Sequence, residues 1–307
     1  MSQPHPSHPD PDRWPACDDG QPGVSIRPLS HADLEAFLAE WDDDEQPLQR
    51  SATRPPRSAR QPARLPGTVG RPGASAQAEY RRRRAAELAA WIPGLPLRLA
   101  TIVAGGALAG LLVGMLVEPP LAIVVAVAAA AVVGWRLRFR PSSDTCAWRR
   151  GATGERRTAA LLGRLERHGW VVLHDLAVPG SRANIDHLLI GPPGIFVVDS
   201  KHYRGRLWLD PDGSLWHGRH PLAPALRAAE FEADRAAAVL TAPQVPTLAV
   251  LVIHGASVPW GELVTGGVPV LAAGRLLAAL RALPGVLTPG QVAELADRAR
   301  ARLHPAA

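Results

Sequence analysis

Lysine is almost missing from this chain. Of the 34 basic side chains, 33 are Arg and the one Lys is Lys201. An arginine fork is always charged, whereas an ammonium is compact and can hold or activate a water, so this single departure marks position 201 for chemistry that Arg does not do. Cysteine is scarce too. Cys17 and Cys146 lie far apart, with no Cys-x-x-Cys or Cys/His spacing, which excludes a disulfide framework or a cysteine-based metal site and predicts free thiols in a reducing compartment. No apolar run stands near residue 1, so no secretory leader is expected there. Acidic residues number 28 against those 34, a net charge of +6 and a pI near 10.4. That balance favours anionic partners, either nucleic acid or an acidic membrane surface.

The chain also carries 31 Pro and 28 Gly, unevenly spread over 307 residues, which points to one globular domain plus non-globular parts. Residues 1 to about 79 are rich in Pro, Ser, Asp and Arg with few apolar clusters. Such a segment cannot offset the entropy of ordering and reads as disordered. Within it, Leu34, Phe37, Leu38 and Trp41 share one helical face over residues 29–41, and Ser30 with Asp33 resembles a capping box. The stretch reads as a short docking helix for a protein partner, or else as a transient helix with no dedicated partner.

A basic segment over residues 80–98, with Arg81 to Arg84, precedes Leu99 to Val117, nineteen residues without a charge. That length matches a hydrocarbon core of about 30 Å. After Glu118-Pro119-Pro120 a second uncharged run, Leu121 to Trp135, ends in Arg136, Arg138 and Arg140. Two buried helices of a soluble domain have similar lengths. Amphipathic periodicity is missing, however, and Gly105, Gly106, Gly110 and Gly114 offer close-packing positions, so residues 99–135 are read as a two-helix transmembrane hairpin. Arginines flank both outer ends while the connection carries only Glu118. The positive-inside rule then makes this a multi-pass cell-membrane protein with both terminal regions in the cytoplasm.

Residues 142–307 read as the globular domain. Thr153 to Arg167 is predicted as an amphipathic helix with Glu155 in its first turn, on the face of Ala159 and Leu162. There the carboxylate either favours the helix dipole or points inward as an acidic site group. Strands are expected at Trp170–Leu176, on either side of Gly191–Gly194, at Arg206–Leu209 with Leu215–His217, at Thr247–Ile253 and at Val268–Leu271. Helices are expected at about 224–240, 273–283 and 289–303. The α, β, β, β, α, β order predicts an α/β fold, a mixed sheet covered by helices.

The stretch from Ala183 to Tyr203 organises this domain: two apolar runs joined by Gly-Pro-Pro-Gly, a β-hairpin pattern. A symmetric turn pairs Ile190 with Ile195, Leu188 with Val197, Asp186 with Asp199 and Asn184 with Lys201. Opposed Cβ atoms lie about 4.5 to 5.5 Å apart, and like charges there repel. A divalent cation bridging Asp186 and Asp199 relieves that repulsion, and Lys201 shares the face of Asp199. His187 and His202 alternate to the opposite face and read as structural or supporting groups. His174 and His254 have no paired motif.

Several stretches together resemble the nuclease-related domain family, NERD, a branch of the PD-(D/E)xK nuclease-like superfamily. They are Gly151-Ala-Thr-Gly-Glu155, His174-Asp-Leu, Ala183-Asn-Ile-Asp-His187, Gly191 through Lys201 and Tyr203-Arg-Gly205. The resemblance covers roughly residues 148–255 and implies a restriction-endonuclease-like αβββαβ core. It also implies Mg²⁺- or Mn²⁺-dependent phosphodiester cleavage of DNA or RNA, with Glu155, Asp186 and Asp199 as metal ligands and Lys201 orienting or activating the attacking water. Arg182, Arg204 and Arg206 flank the hairpin and suit a nucleic-acid backbone. The chain departs from the family at His220 to Leu226, where members often carry a Gln. Three function classes follow: a membrane-anchored metal-dependent nuclease, a non-catalytic module that binds nucleic acid or protein at the membrane, and a membrane scaffold organised by the N-terminal tail.

Overall fold

A computed structural model describes residues 70–306. Residues 1–69 of the tail, with the 29–41 helix and Cys17, lie outside the described residues. The first helix, α1, spans Ala74–Trp91 and so begins inside the stretch that composition assigns to the tail. A single 3₁₀ turn, Ile92–Gly94, joins it to α2, Leu95–Gly114, and α3 follows at Pro119–Leu137.

α2 and α3 are long and apolar enough to cross a membrane. Only Gly106 of α2 and Ala122 of α3 are buried, while Leu97, Val103 and Leu116 are largely exposed. Within this fold the two helices are not buried in the core of the globular domain. The small residues sit between the two helices. A Cβ on Gly106 would lie 3.0 Å from the Ala126 carbonyl oxygen, and one on Gly110 would lie 2.8 Å from the Ala126 Cβ.

α4, Ser143–Leu162, is capped by the Ser142 hydroxyl, which accepts from the Thr145 backbone N–H. It starts ten residues before the predicted Thr153, so Glu155 stands well inside the helix. A first-turn dipole role is thereby excluded.

The strands are β1 Val171–Ala177, β2 Asn184–Gly191, β3 Gly194–His202, β4 Leu207–Leu209, β5 Leu215–His217, β6 His220–Pro221, β7 Thr247–His254, β8 Glu262–Thr265 and β9 Val268–Ala272. The remaining helices are α5 Ala223–Leu240, α6 Leu276–Ala282 and α7 Pro289–Arg302. Six strands form one sheet in the order β1-β2-β3-β7-β9-β8, with β4, β5 and β6 in a small separate sheet. β3–β7 and β7–β9 are parallel and the other pairs of the large sheet antiparallel. The expected mixed sheet is present, with β8 as an extra edge strand.

Strand alternation gives the large sheet two apolar faces. Ile195 and Val197 of β3 pack with Ala229, Ala233 and Ala236 of α5 and with Leu295 of α7. Phe196 and Val198 pack with Leu162 of α4 and with Leu276 and Leu280 of α6. β3 is thus covered on both sides, and the odd-numbered Asp199 and Lys201 continue the α5 face toward the strand's C-terminal end.

Candidate active site

Ile190 pairs with Ile195 and Leu188 with Val197, as the symmetric turn predicts, but the β2–β3 ladder ends at His187 with Val198. Asp186 and Asp199 are therefore not a ladder pair. Asn184 pairs with Ala177 of β1, not with Lys201, and Lys201 pairs with Ile253 of β7. In place of a ladder bond, the Asp186 carboxylate accepts the Ser200 backbone N–H at 3.0 Å. The β1–β2 register likewise skips Asp175 and Asp186, and Asp175 has a left-handed backbone, φ 50°. Both ladders thus fail at the position of Asp186, which opens the sheet where the acidic groups meet.

Asp199 is 2% exposed, and the Lys201 Nζ lies 2.6 Å from each of its carboxylate oxygens. Burial works against the ammonium, but the Asp199 and Asp186 charges outweigh it and hold Lys201 well above the ordinary lysine range. The carboxyls shift the other way. Burial, followed by the charges of Asp175 and Asp199, pushes Glu155 up to about 7. Burial, Glu155 and Asp199 raise Asp186 well above the aspartate range, against the pull of Lys201 and the Ser200 N–H. The four sequence-predicted groups therefore share one electrostatic cluster. One lysine does not neutralise it.

Two members of the cluster were not assigned from sequence. Asp175 lies in the quoted His-Asp-Leu stretch and is 1% exposed. Glu232 of α5 is buried, its Oε2 makes no hydrogen bond, and burial with the Asp199 charge raises it to about 8. A signal for it was present: Glu232 shares its helical face with Leu226, Ala229, Ala236 and Leu240, all buried. The helix that lacks the expected Gln thus contributes a carboxylate two turns later.

The even-numbered face of β3 carries a separate polar network. The Ser200 hydroxyl donates to Thr158 Oγ1 at 2.8 Å, and Thr158 Oγ1 lies 2.7 Å from His254 Nε2. His202 Nδ1 lies 3.2 Å from the Arg150 carbonyl. His174 and His187 form a buried pair, Nδ1 to Nδ1 at 2.8 Å. Burial lowers His174 to about 4, and burial together with His174 and His254 lowers His187 further from its ordinary range. Neutral, mutually bonded histidines suit a structural role. Arg182, Arg204 and Arg206 are exposed at the open end of the hairpin.

Among the described residues, no three His, Cys, Asp or Glu side chains converge tightly enough to enclose a metal ion. Mg²⁺ asks for less, one or two carboxylates with water and phosphate oxygens. The donors fit a hard cation: all are carboxylates, they are mutually repelling, and Glu155 Oε2 is buried without a hydrogen-bond partner.

The large sheet lies between helices, with an Asp-x-Lys unit at the end of its central strand β3. Residues 150–254, about a third of the chain, match the family model of the nuclease-related domain, NERD, a family of the general PD-(D/E)xK class. An uncharacterized protein of Bacillus anthracis is 31% identical over 70 residues, which cover 22% of this chain and 33% of that protein. The match thus spans about a third of the relative's length. No solved structure matches the chain.

Proposed function

We propose that the chain is a membrane-anchored, divalent-metal-dependent nuclease that hydrolyses phosphodiester bonds of DNA or RNA on the cytoplasmic side. The observation that carries this reading is the Asp199–Lys201 unit beside Asp186, docked on Ser200, within the segment that matches the nuclease-related domain. Glu155, Asp186 and Asp199 would hold Mg²⁺ or Mn²⁺, which when bound supplies charge neutralisation at phosphate and a more acidic water. Lys201 stays protonated at neutral pH, so it acts as a donor and not as a general base. It orients the attacking water and offsets charge developing on the phosphate. Arg182, Arg204 and Arg206 hold the polyanion through its backbone, without base preference.

Membrane attachment is supported by the exposed apolar surface of α2 and α3 and by the residues at one end of the hairpin. The Arg98 guanidinium stacks on Trp91 at 4.6 Å, and those of Arg138 and Arg140 on Trp135 at 5.1 and 4.8 Å. Tryptophan with arginine is the pairing favoured at a membrane–water interface.

The test is cleavage of single- and double-stranded DNA and RNA by full-length protein in detergent micelles, with Mg²⁺ or Mn²⁺, beside Asp199→Asn and Lys201→Ala. Metal-dependent cleavage that both substitutions abolish supports the nuclease. The second reading, a non-catalytic module that binds nucleic acid or protein at the membrane, draws on the open arrangement of the carboxylates. Folded protein that retains nucleic acid but never cuts it supports that reading instead.

A further inference from the structure

Residues 70–75 come before the apolar hairpin in sequence, yet they pack on the acidic end of the sheet. The Ser75 backbone N–H donates to Asp175 Oδ2 at 2.9 Å, and its hydroxyl donates to Oδ1 at 2.5 Å. The Gly73 backbone N–H pulls the Glu155 carboxyl down, against the burial that raises it. The approach is closer than a side chain permits: a Cβ on Gly70 would lie 2.0 Å from the His174 carbonyl oxygen, and one on Gly73 would lie 2.7 Å from that of Ala152. Gly73 also has φ +71°, a conformation that glycine adopts freely. Among the described residues, Asp175, held by Ser75, is the buried non-glycine residue with a left-handed backbone. A residue in that conformation persists where its surroundings over-determine it, and Ser75 supplies two of the constraints.

The other end of α1 is clamped as well. Glu87 accepts from the Ser142 N–H at 3.0 Å, from the Ser142 hydroxyl at 2.5 Å and from the Thr145 hydroxyl at 2.7 Å. Between the two ends, Arg83 lies over Trp148 at 5.3 Å and Arg149 over Tyr80 at 5.8 Å. α1 and α4 therefore run antiparallel as a stalk, joined at one end through the apolar hairpin and at the other to the acidic site.

We propose that residues 70–75 are a positioning strap for that site: they fix Glu155 and Asp175, and the α1–α4 stalk transmits the seating of the apolar hairpin to the carboxylates. The chain upstream of the hairpin is then a working part of the domain, and a fragment starting at Ser142 lacks it. The consequence for metal binding rests on the nuclease reading. The mechanical link between strap and α4 does not.

The test uses the full chain in detergent micelles, comparing Ser75→Ala, Ser75→Thr and Gly73→Ala, with Glu79→Gln as control because Glu79 pairs with Arg82 and Arg83 on α1 itself. Amide hydrogen exchange is measured over residues 70–76 and 152–158, together with Mn²⁺ binding by calorimetry. Ser75→Ala and Gly73→Ala are expected to speed exchange in both segments at least tenfold and to weaken Mn²⁺ about tenfold. Ser75→Thr should restore the wild-type pattern, and the control should match wild type. Faster exchange confined to 70–76, with α4 unchanged, overturns the strap. Wild-type protein that binds no Mn²⁺ overturns the metal reading alone, and exchange in α4 still decides the strap. Should Gly73→Ala fail to fold, Ser75→Ala carries the test, since it removes one hydroxyl and adds no bulk.

Discussion

The Asp186 carboxylate accepts the Ser200 backbone N–H at 3.0 Å, one residue beyond the point where the β2–β3 ladder ends. A side chain thus takes the place of a ladder carbonyl, and the strands part without leaving that N–H unsatisfied. The oxygen that accepts and the charge that would bind a cation are separable. Asp186→Asn keeps an acceptor, so it is expected to fold with near-normal stability while losing Mn²⁺ binding. Asp186→Ala loses both and leaves a part-buried N–H without a partner, at a cost of about 1 to 3 kcal/mol. Urea denaturation and calorimetry on the two variants distinguish the roles. Equal stability of the two variants would count against the structural role.

The pH dependence follows from the raised carboxyls. Glu155 and Glu232 titrate at about 7 and about 8 in the fold, against an ordinary value of 4.5. Between those values the folded protein keeps protons that the unfolded chain has released. These carboxyls therefore remove stability as pH rises from about 4.5 to about 8, whereas His174 and His187, lowered in the fold, add stability between about 4 and 6.5, so the net fall is expected above about 6.5. In EDTA, the melting temperature is expected to be lower at pH 8 than at pH 6.5, and Glu232→Gln should reduce the difference. Added Mn²⁺ should stabilise more at pH 8 than at pH 5, because a cation requires the ionised carboxylates. A melting temperature that rises between pH 6.5 and pH 8 in EDTA would contradict the buried cluster.

Much of the fold was legible because its signals are local. The Gly-Pro-Pro-Gly turn fixed the register next to it, as in Ile190 with Ile195 and Leu188 with Val197, and the run from Thr247 is a strand buried along its whole length. What failed was extrapolation of that register past the ladder's end. Symmetry pairs Asp186 with Asp199, but the tertiary environment gives Asp186 a backbone donor on a residue beyond. The start of α4 was missed because Ser143 to Arg150 carries no apolar stripe of its own. That part of the helix packs against Tyr80, Arg83 and Glu87 of α1, which the sequence places in the basic segment leading to the apolar hairpin. Asp175 belongs to the same class of omission, since its partner, Ser75, lies 100 residues away. Glu232 differs: its spacing on an apolar face was readable, and a carboxylate on such a face carries information.

The apolar hairpin gives the most direct test of topology. α2 and α3 pack through Gly106 and Gly110 against Ala126 and Ala130, a small-residue contact of the kind that lets helices approach in lipid. Gly110→Leu places a side chain where even a Cβ would come within 2.8 Å of the Ala126 Cβ, so the helices must separate. In liposomes, cysteine crosslinking between α2 and α3 is expected to fall strongly in this variant, while Leu108→Ala, on an exposed position, should leave it unchanged. A reporter placed after Glu118 is expected on the side of the membrane opposite to reporters at either end of the chain, because arginines flank the hairpin's outer ends and its connection carries Glu118 alone. A Glu118 reporter on the same side as both termini would refute two full spans. It would leave the α1–α4 stalk intact, with its hairpin lying along the membrane surface.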